Sequence, residues 1–222
     1  GDVDRLGDLF ATDLAGVRIN GEPVEPAKAW HLPVCEPATG GELARLVCGG
    51  EPEARAALEA AAAVERRWAD TAAAERAHAL RAVAADLRDG ECTEELAVAI
   101  SRETGKRIAE ARAEVGLSAA FFDWFADAIS TRYAEWHSVV PGLRHEVIQR
   151  PVGIVAVLTP WNFPLSIPAR KIAPALAAGC PVLFKPSEVA PASALRLAEI
   201  VEARVPAGVV GTVLGEPAEV SE

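Results

Sequence analysis

From Val152 to Leu158 the chain is apolar, rich in β-branched residues and too short for an ordinary helix. That pattern predicts a strand buried on both faces. Thr159-Pro160-Trp161-Asn162-Phe163-Pro164 then interrupts regular structure, because its prolines remove backbone donors and hold the residues before them extended. Helical spacing takes over from Ile167 to Ala178, with Ile167, Ile172, Leu176 and Ala177 on one face, and Gly179 stops it. Pro181 to Phe184 is a second short apolar strand, with Lys185-Pro186-Ser187-Glu188 at its carboxyl end. Strand, loop, helix and strand make a βαβ unit, hence a parallel sheet with a right-handed crossover. Ligands of such sheets sit outside the carboxyl ends of the strands. Both polar clusters, Trp161-Asn162 and Lys185 to Glu188, lie there.

Upstream the pattern changes twice. Gly1 to about Gly50 reads as strands and turns, with Asn20-Gly21 a hairpin signal after Val17-Arg18-Ile19. Leu32-Pro33-Val34 leads into the turn Pro37 to Gly41, and Leu43 to Val47 resumes a strand. Alanine-rich amphipathic helices follow over Pro52–Trp68, Ala72–Arg88 and Thr93–Glu103, the later ones separated by Gly90 and Gly105. A longer helix is expected from Arg107 to Tyr133. Its Phe121, Phe122, Trp124 and Phe125 read as core, with Trp124 as a tunnel lining the alternative. Gly142 to Pro151 returns to a strand that leaves the helical layer. The predicted organisation is an N-terminal arm and helical part over 1–133, a hairpin over 134–151, and a βαβ core over 152–222.

Composition narrows the function. Half the 222 residues are hydrophobic, enough for a sizeable core. A net charge of −10 disfavours nucleic acid and anionic membranes as partners. No apolar run of membrane-spanning length occurs. Cys35, Cys48, Cys92 and Cys180 lack metal-site spacing and read as reduced thiols of a cytoplasmic protein. His78, His137 and His145 are isolated, so no metal is expected. The chain contains no methionine, and Gly1 reads as a processed or tag-cleaved end.

TPWNFP, RKIAPALAAGC and KPSE in order, with EPATG at Glu36 to Gly40, ETGK at Glu103 to Lys106 and PAGVVGTVLG at Pro206 to Gly215, carry a resemblance. Together they are similar to the NAD(P)-dependent aldehyde dehydrogenase superfamily. Arg170-Lys171 and Gly179-Cys180 are most like its semialdehyde dehydrogenase branch. The resemblance implies an α/β fold, a Rossmann-like parallel sheet flanked by helices, with a projecting hairpin that pairs with a neighbouring subunit in a homodimer or homotetramer. An internal hairpin is the alternative.

The implied chemistry is oxidation of an aldehyde, a semialdehyde among the candidates, through a thiohemiacetal, hydride transfer and thioester hydrolysis. It requires a thiolate, a base, an oxyanion donor and a bound nicotinamide. By this resemblance Asn162 supplies the oxyanion donor, against a loop-capping role. Lys185 and Glu188 meet the adenosine ribose, against a plain surface ion pair. Leu158, Thr159, Pro160, Trp161, Ser187 and Gly215 border the same cofactor. A carboxylate at 188 repels a 2′-phosphate, so NAD is preferred over NADP. Arg170 either meets the far carboxylate of a semialdehyde or is a solvated helix arginine. Cys180, without a neighbouring base or cation in sequence, reads as packing.

The departures bear on activity. The family's nucleophilic cysteine and general-base glutamate belong to motifs downstream of Gly215, so a missing segment or a companion chain is expected to carry them. Pro217 and Ser221 replace common glycines of the turn after the third strand, and Glu36 replaces an asparagine. A parallel sheet ending after three strands is expected to leave an unpaired edge and a bare apolar face. A non-catalytic binding module and a protein-interaction subunit are the alternatives to the enzyme.

Overall fold

The computed structural model describes residues 8–131, 135–137, 140–143 and 145–215. Among the described residues a 3-10 turn at Asp8–Phe10 precedes five short strands: β1 (Leu14–Ala15), β2 (Val17–Ile19), β3 (Glu22–Pro23), β4 (Trp30–Cys35) and β5 (Glu42–Cys48). Four helices follow: α1 (Glu51–Ala69), α2 (Ala73–Arg88), α3 (Gly90–Thr104) and α4 (Ile108–Ser130). Then come β6 (Glu135–His137), β7 (His145–Val147), β8 (Val155–Leu158), α5 (Ser166–Ala177), β9 (Val182–Lys185), α6 (Ala192–Glu202) and β10 (Val210–Val213).

The helix boundaries follow local chemistry. Gly90 is the first residue of α3 rather than a separator, because the Asp89 carboxylate accepts from the Glu91 and Cys92 N–H groups and starts the helix there. Gly105 ends α3 in the left-handed conformation, as expected. Gly179, at φ +87°, donates to the Leu176 carbonyl at 3.0 Å while Cys180 donates to Ala175 at 2.9 Å. Those two bonds form a Schellman motif, which turns α5 sharply back into β9.

The main sheet has the order β3-β2-β10-β9-β8. Strands β8, β9 and β10 are parallel, as the βαβ pattern requires. The expectation of an unpaired edge fails at β10, where β2 pairs antiparallel and β3 pairs with β2, and holds at β8, the terminal strand of this sheet among the described residues. The sheet is therefore mixed, and the N-terminal arm is part of it. Arg18 of β2 fastens it to α6 through Glu202 at 2.8 Å and Glu199 at 3.2 Å.

The two faces of this sheet are unequal. Val182, Phe184 and Val210 face α5 and α6, behind which α2, α3 and α4 complete the core. On the other face α1 packs on β10, β2 and β9, with Ala57 against Val17, Val213 and Leu183. Beside α1 the Ala156 and Leu158 side of β8 is left exposed, while Val157 is buried. The expectation of a strand buried on both faces is corrected accordingly, and Val152 lies outside it at 88% exposure. Among the described residues, strands β6 and β7 pair antiparallel with each other as a two-stranded ribbon, and β7 is exposed.

Gly16 ties the main sheet to the smaller sheet β1-β5-β4. Its N–H donates to Val47 at 2.9 Å and its carbonyl accepts from Leu214 at 2.8 Å. A β-carbon there falls 2.4 Å from the Val47 carbonyl oxygen, so backbone must move to admit it. Gly16→Ala is expected to lose roughly 1–3 kcal/mol through overpacking. Urea unfolding should show a lower midpoint with an unchanged slope.

Candidate functional site

Register places the site. Leu158 is opposite Lys185 at the carboxyl ends of β8 and β9, and the Thr159 N–H donates to the Lys185 carbonyl at 3.2 Å. Here the exposed side of β8 and the first turn of α1 enclose a cleft of about 460 Å³. Leu158, Thr159, Leu183, Lys185, Ser187 and Glu188 line it, with Ala54 of α1 on the opposite wall. Five residues singled out from sequence thus share one concavity. The Thr159 hydroxyl is buried and has no hydrogen-bond partner among the described residues. The Lys185 ammonium and the Glu188 carboxylate stand 3.5 Å apart, with side chains 17% and 31% exposed. Each keeps enough access to exchange its neighbour for a ligand.

The other sequence candidates lie outside the residues lining that cleft. Pro160, Trp161 and Asn162 continue the loop after β8 and are exposed. Asn162 is not turned inward as packing. Arg170 is exposed on α5, and Gly215 is buried just beyond β10. The turn containing Pro217 and Ser221 lies outside the described residues. Cys180 is 2% exposed within the main core, as a packing residue should be. Phe122 is fully buried, whereas Trp124 is 61% exposed. His78 and His145 are exposed.

Three residues to which the sequence reading gave no role, two of them in the ETGK motif, hold the two site loops in place. Glu114 of α4, 3% exposed, accepts from the Leu165 and Ser166 N–H groups at 3.0 and 3.1 Å, where α5 begins. Lys106 forms an ion pair with Glu114, donates to the Asn162 carbonyl at 3.1 Å, and lies 4.0 Å from the centre of the Phe163 ring. Glu103, at the end of α3, accepts from the Ala192 and Ser193 N–H groups at 2.8 and 3.1 Å and from the Ser193 hydroxyl. It thereby caps α6, which follows the Lys185–Glu188 loop. A carboxylate at a helix start satisfies donors that have no intrahelical partner and opposes the positive end of the dipole. Burial still pushes the Glu103 carboxyl up to about 7 against those hydrogen bonds, and the charge of Glu114 adds to the rise.

The ETGK turn presents this chemistry. Once Gly105 has ended α3, the Ser101 hydroxyl donates to the Lys106 carbonyl at 2.7 Å and fixes the turn. Glu103 then points to α6 and Lys106 to the loop after β8. Helical spacing carried a signal for both acids. Glu103 extends the apolar stripe of Leu96 and Ile100, and Glu114 lies on that of Ala111, Val115 and Phe122. A charge on an apolar stripe demands a buried partner.

The chain resembles known proteins over most of its length. The family model described as the aldehyde dehydrogenase family matches residues 24–222. A non-phosphorylating aspartate-semialdehyde dehydrogenase of Halomonas elongata is 42% identical over 85% of this chain and 38% of its own length. The NADP(+) succinate-semialdehyde dehydrogenase of Escherichia coli is 38% identical over 89% of this chain and 41% of its own. Among solved structures, betaine aldehyde dehydrogenase from Staphylococcus aureus in complex with NAD+ superposes with a TM-score of 0.91. It is 30% identical, over 98% of this chain and 44% of that one. The chain thus spans about two fifths of the length of the relatives it matches.

Proposed function

Because this chain belongs to the aldehyde dehydrogenase family, we propose that it binds a nicotinamide adenine dinucleotide, NAD in preference to NADP, and serves oxidation of an aldehyde to the carboxylic acid. The observation that carries the reading is the meeting of Leu158, Thr159, Lys185, Ser187 and Glu188 around one cleft at the carboxyl ends of neighbouring parallel strands. The residues fit such a ligand. The buried Thr159 hydroxyl is without a partner among the described residues. Lys185 offers a cation to ribose or phosphate oxygens, and Glu188 accepts from ribose hydroxyls. The apolar side chains of Leu158 and Leu183 give a flat ring a surface to lie on.

The cofactor supplies the hydride acceptor. This chain's own residues bind and orient. The Asn162 amide is exposed on a loop bounded by Pro160 and Pro164 and held by Lys106, which suits a fixed donor toward a developing oxyanion. Arg170, exposed on α5, is assigned to a distal carboxylate, and the semialdehyde relatives favour that substrate class. The nucleophilic cysteine and activating glutamate are assigned to a further segment or companion chain, in an assembly that the β6–β7 ribbon helps to join.

Calorimetric titration of the chain with NAD+ and NADP+ tests the binding. Saturable binding of NAD+, at least tenfold tighter than NADP+, is expected. The absence of heat with either nucleotide at millimolar concentration overturns the reading. Aldehyde-dependent appearance of the reduced cofactor then tests turnover in any preparation that also holds the cysteine.

A further inference from the structure

We propose that Lys106 and Glu114 are the positioning residues of the Asn162 loop, gripping it at both ends. The inference deepens the reading of Asn162 as oxyanion donor and rests on it for its functional meaning. Exposed loops flanked by prolines are restricted in φ but not anchored. A donor that must be preorganised needs its backbone fixed by something rigid.

Here the anchor comes from the helical layer. Glu114 holds the far end of the loop by taking the N–H groups of Leu165 and Ser166, and both the acid and those two residues are buried. Lys106 holds the near part by bonding the carbonyl of Asn162 itself, with its ammonium over the Phe163 ring. The Lys106–Glu114 ion pair joins the two grips, with side chains 13% and 2% exposed. Bonding the carbonyl rather than the amide of Asn162 fixes the residue and leaves the side chain exposed. The Phe163 ring, 45% exposed, has little core to hold it, so its contact with the ammonium is a main restraint on that side. Loop position thus depends on a turn more than fifty residues upstream in the sequence.

Amide hydrogen exchange on the chain, read by mass spectrometry, tests this without needing catalysis. In the double variant Lys106→Met/Glu114→Gln the amide oxygen still caps α5, no charge is stranded, and only the hold on Asn162 and Phe163 is lost. Exchange at the Leu165, Ser166 and Ile167 amides, which are bonded to residue 114 and to the Phe163 carbonyl, should rise at least tenfold as the loop loosens, with β9 and α6 unchanged and NAD+ affinity within about threefold of the parent. Phe163→Leu, at an exposed site that threatens no core, should raise exchange in the same segment by a smaller factor. Lys106→Arg, which can span the same two acceptors, should restore protection. Unchanged loop exchange in both the double variant and Phe163→Leu overturns the proposal. So does a loss of protection spread over α5, α6 and β9 alike, which marks the pair as general support for the fold. If NAD+ fails to bind the parent chain, the functional reading falls while the exchange result still decides the grip.

Discussion

Glu103→Ala is expected to lower the thermal unfolding midpoint by about 6 to 12 °C, from a loss of roughly 3 kcal/mol spread over a chain of this size. The variant strands the N–H groups of Ala192 and Ser193 and the Ser193 hydroxyl in a buried site, and removes the charge opposite the start of α6. Differential scanning calorimetry measures the shift, and a change under about 2 °C would deny Glu103 its role in the fold. The same residue gives stability a pH dependence. Its folded pKa, pushed up to about 7 chiefly by burial, lies above the ordinary value of 4.5. The folded chain therefore keeps a proton that the unfolded chain releases. That contribution is complete below pH 4.5, declines as pH rises through the interval to about 7, and is flat above it. A difference of 2.5 units, taken as 7 minus 4.5, corresponds to about 3 kcal/mol. Measured as the parent's stability minus that of Glu103→Gln, which cannot titrate, the difference should fall across that interval. A level difference from pH 4.5 to 7 would contradict the assignment.

Why Glu103 escaped a reading that located Lys185 and Asn162 is a matter of distance along the chain. The βαβ unit is written locally. β-branched runs, a proline-bounded loop and Gly179 all act on neighbours within a few residues, so β8, α5 and β9 appear close to where periodicity puts them. Glu103 acts on residues 89 and 90 positions away, and Glu114 on residues 51 and 52 away. In sequence each is one more acid in an alanine-rich helix. Only its place on an apolar stripe separates it from the solvated acids around it. The pairing of β2 with β10 is equally non-local, since Val17 and Val213 lie at opposite ends of the described chain. No local propensity announces that an N-terminal hairpin closes a sheet edge. Gly90 failed as a boundary for a different reason: the Asp89 cap starts a helix in spite of the glycine behind it.

Lys185→Ala should weaken NAD+ binding roughly 10- to 100-fold, the range set by losing one charged hydrogen bond of about 1.5–3 kcal/mol. The chain's stability should hardly move. The Lys185–Glu188 pair is partly exposed at 3.5 Å, and ion pairs of that kind are worth at most about 1 kcal/mol. Affinity falling without a matching fall in the unfolding midpoint is what separates a binding lysine from a surface one. Glu188→Ala acts in the opposite sense on the phosphorylated cofactor. It removes a carboxylate that a 2′-phosphate must otherwise approach, and releases the Lys185 ammonium from its present partner to meet that phosphate. The ratio of NADP+ to NAD+ dissociation constants should drop at least tenfold, mainly through tighter NADP+ binding. Parallel titrations of parent and both variants with each nucleotide settle the matter. If neither substitution changes either affinity, the pair is surface electrostatics and the cleft beside it binds something other than a dinucleotide.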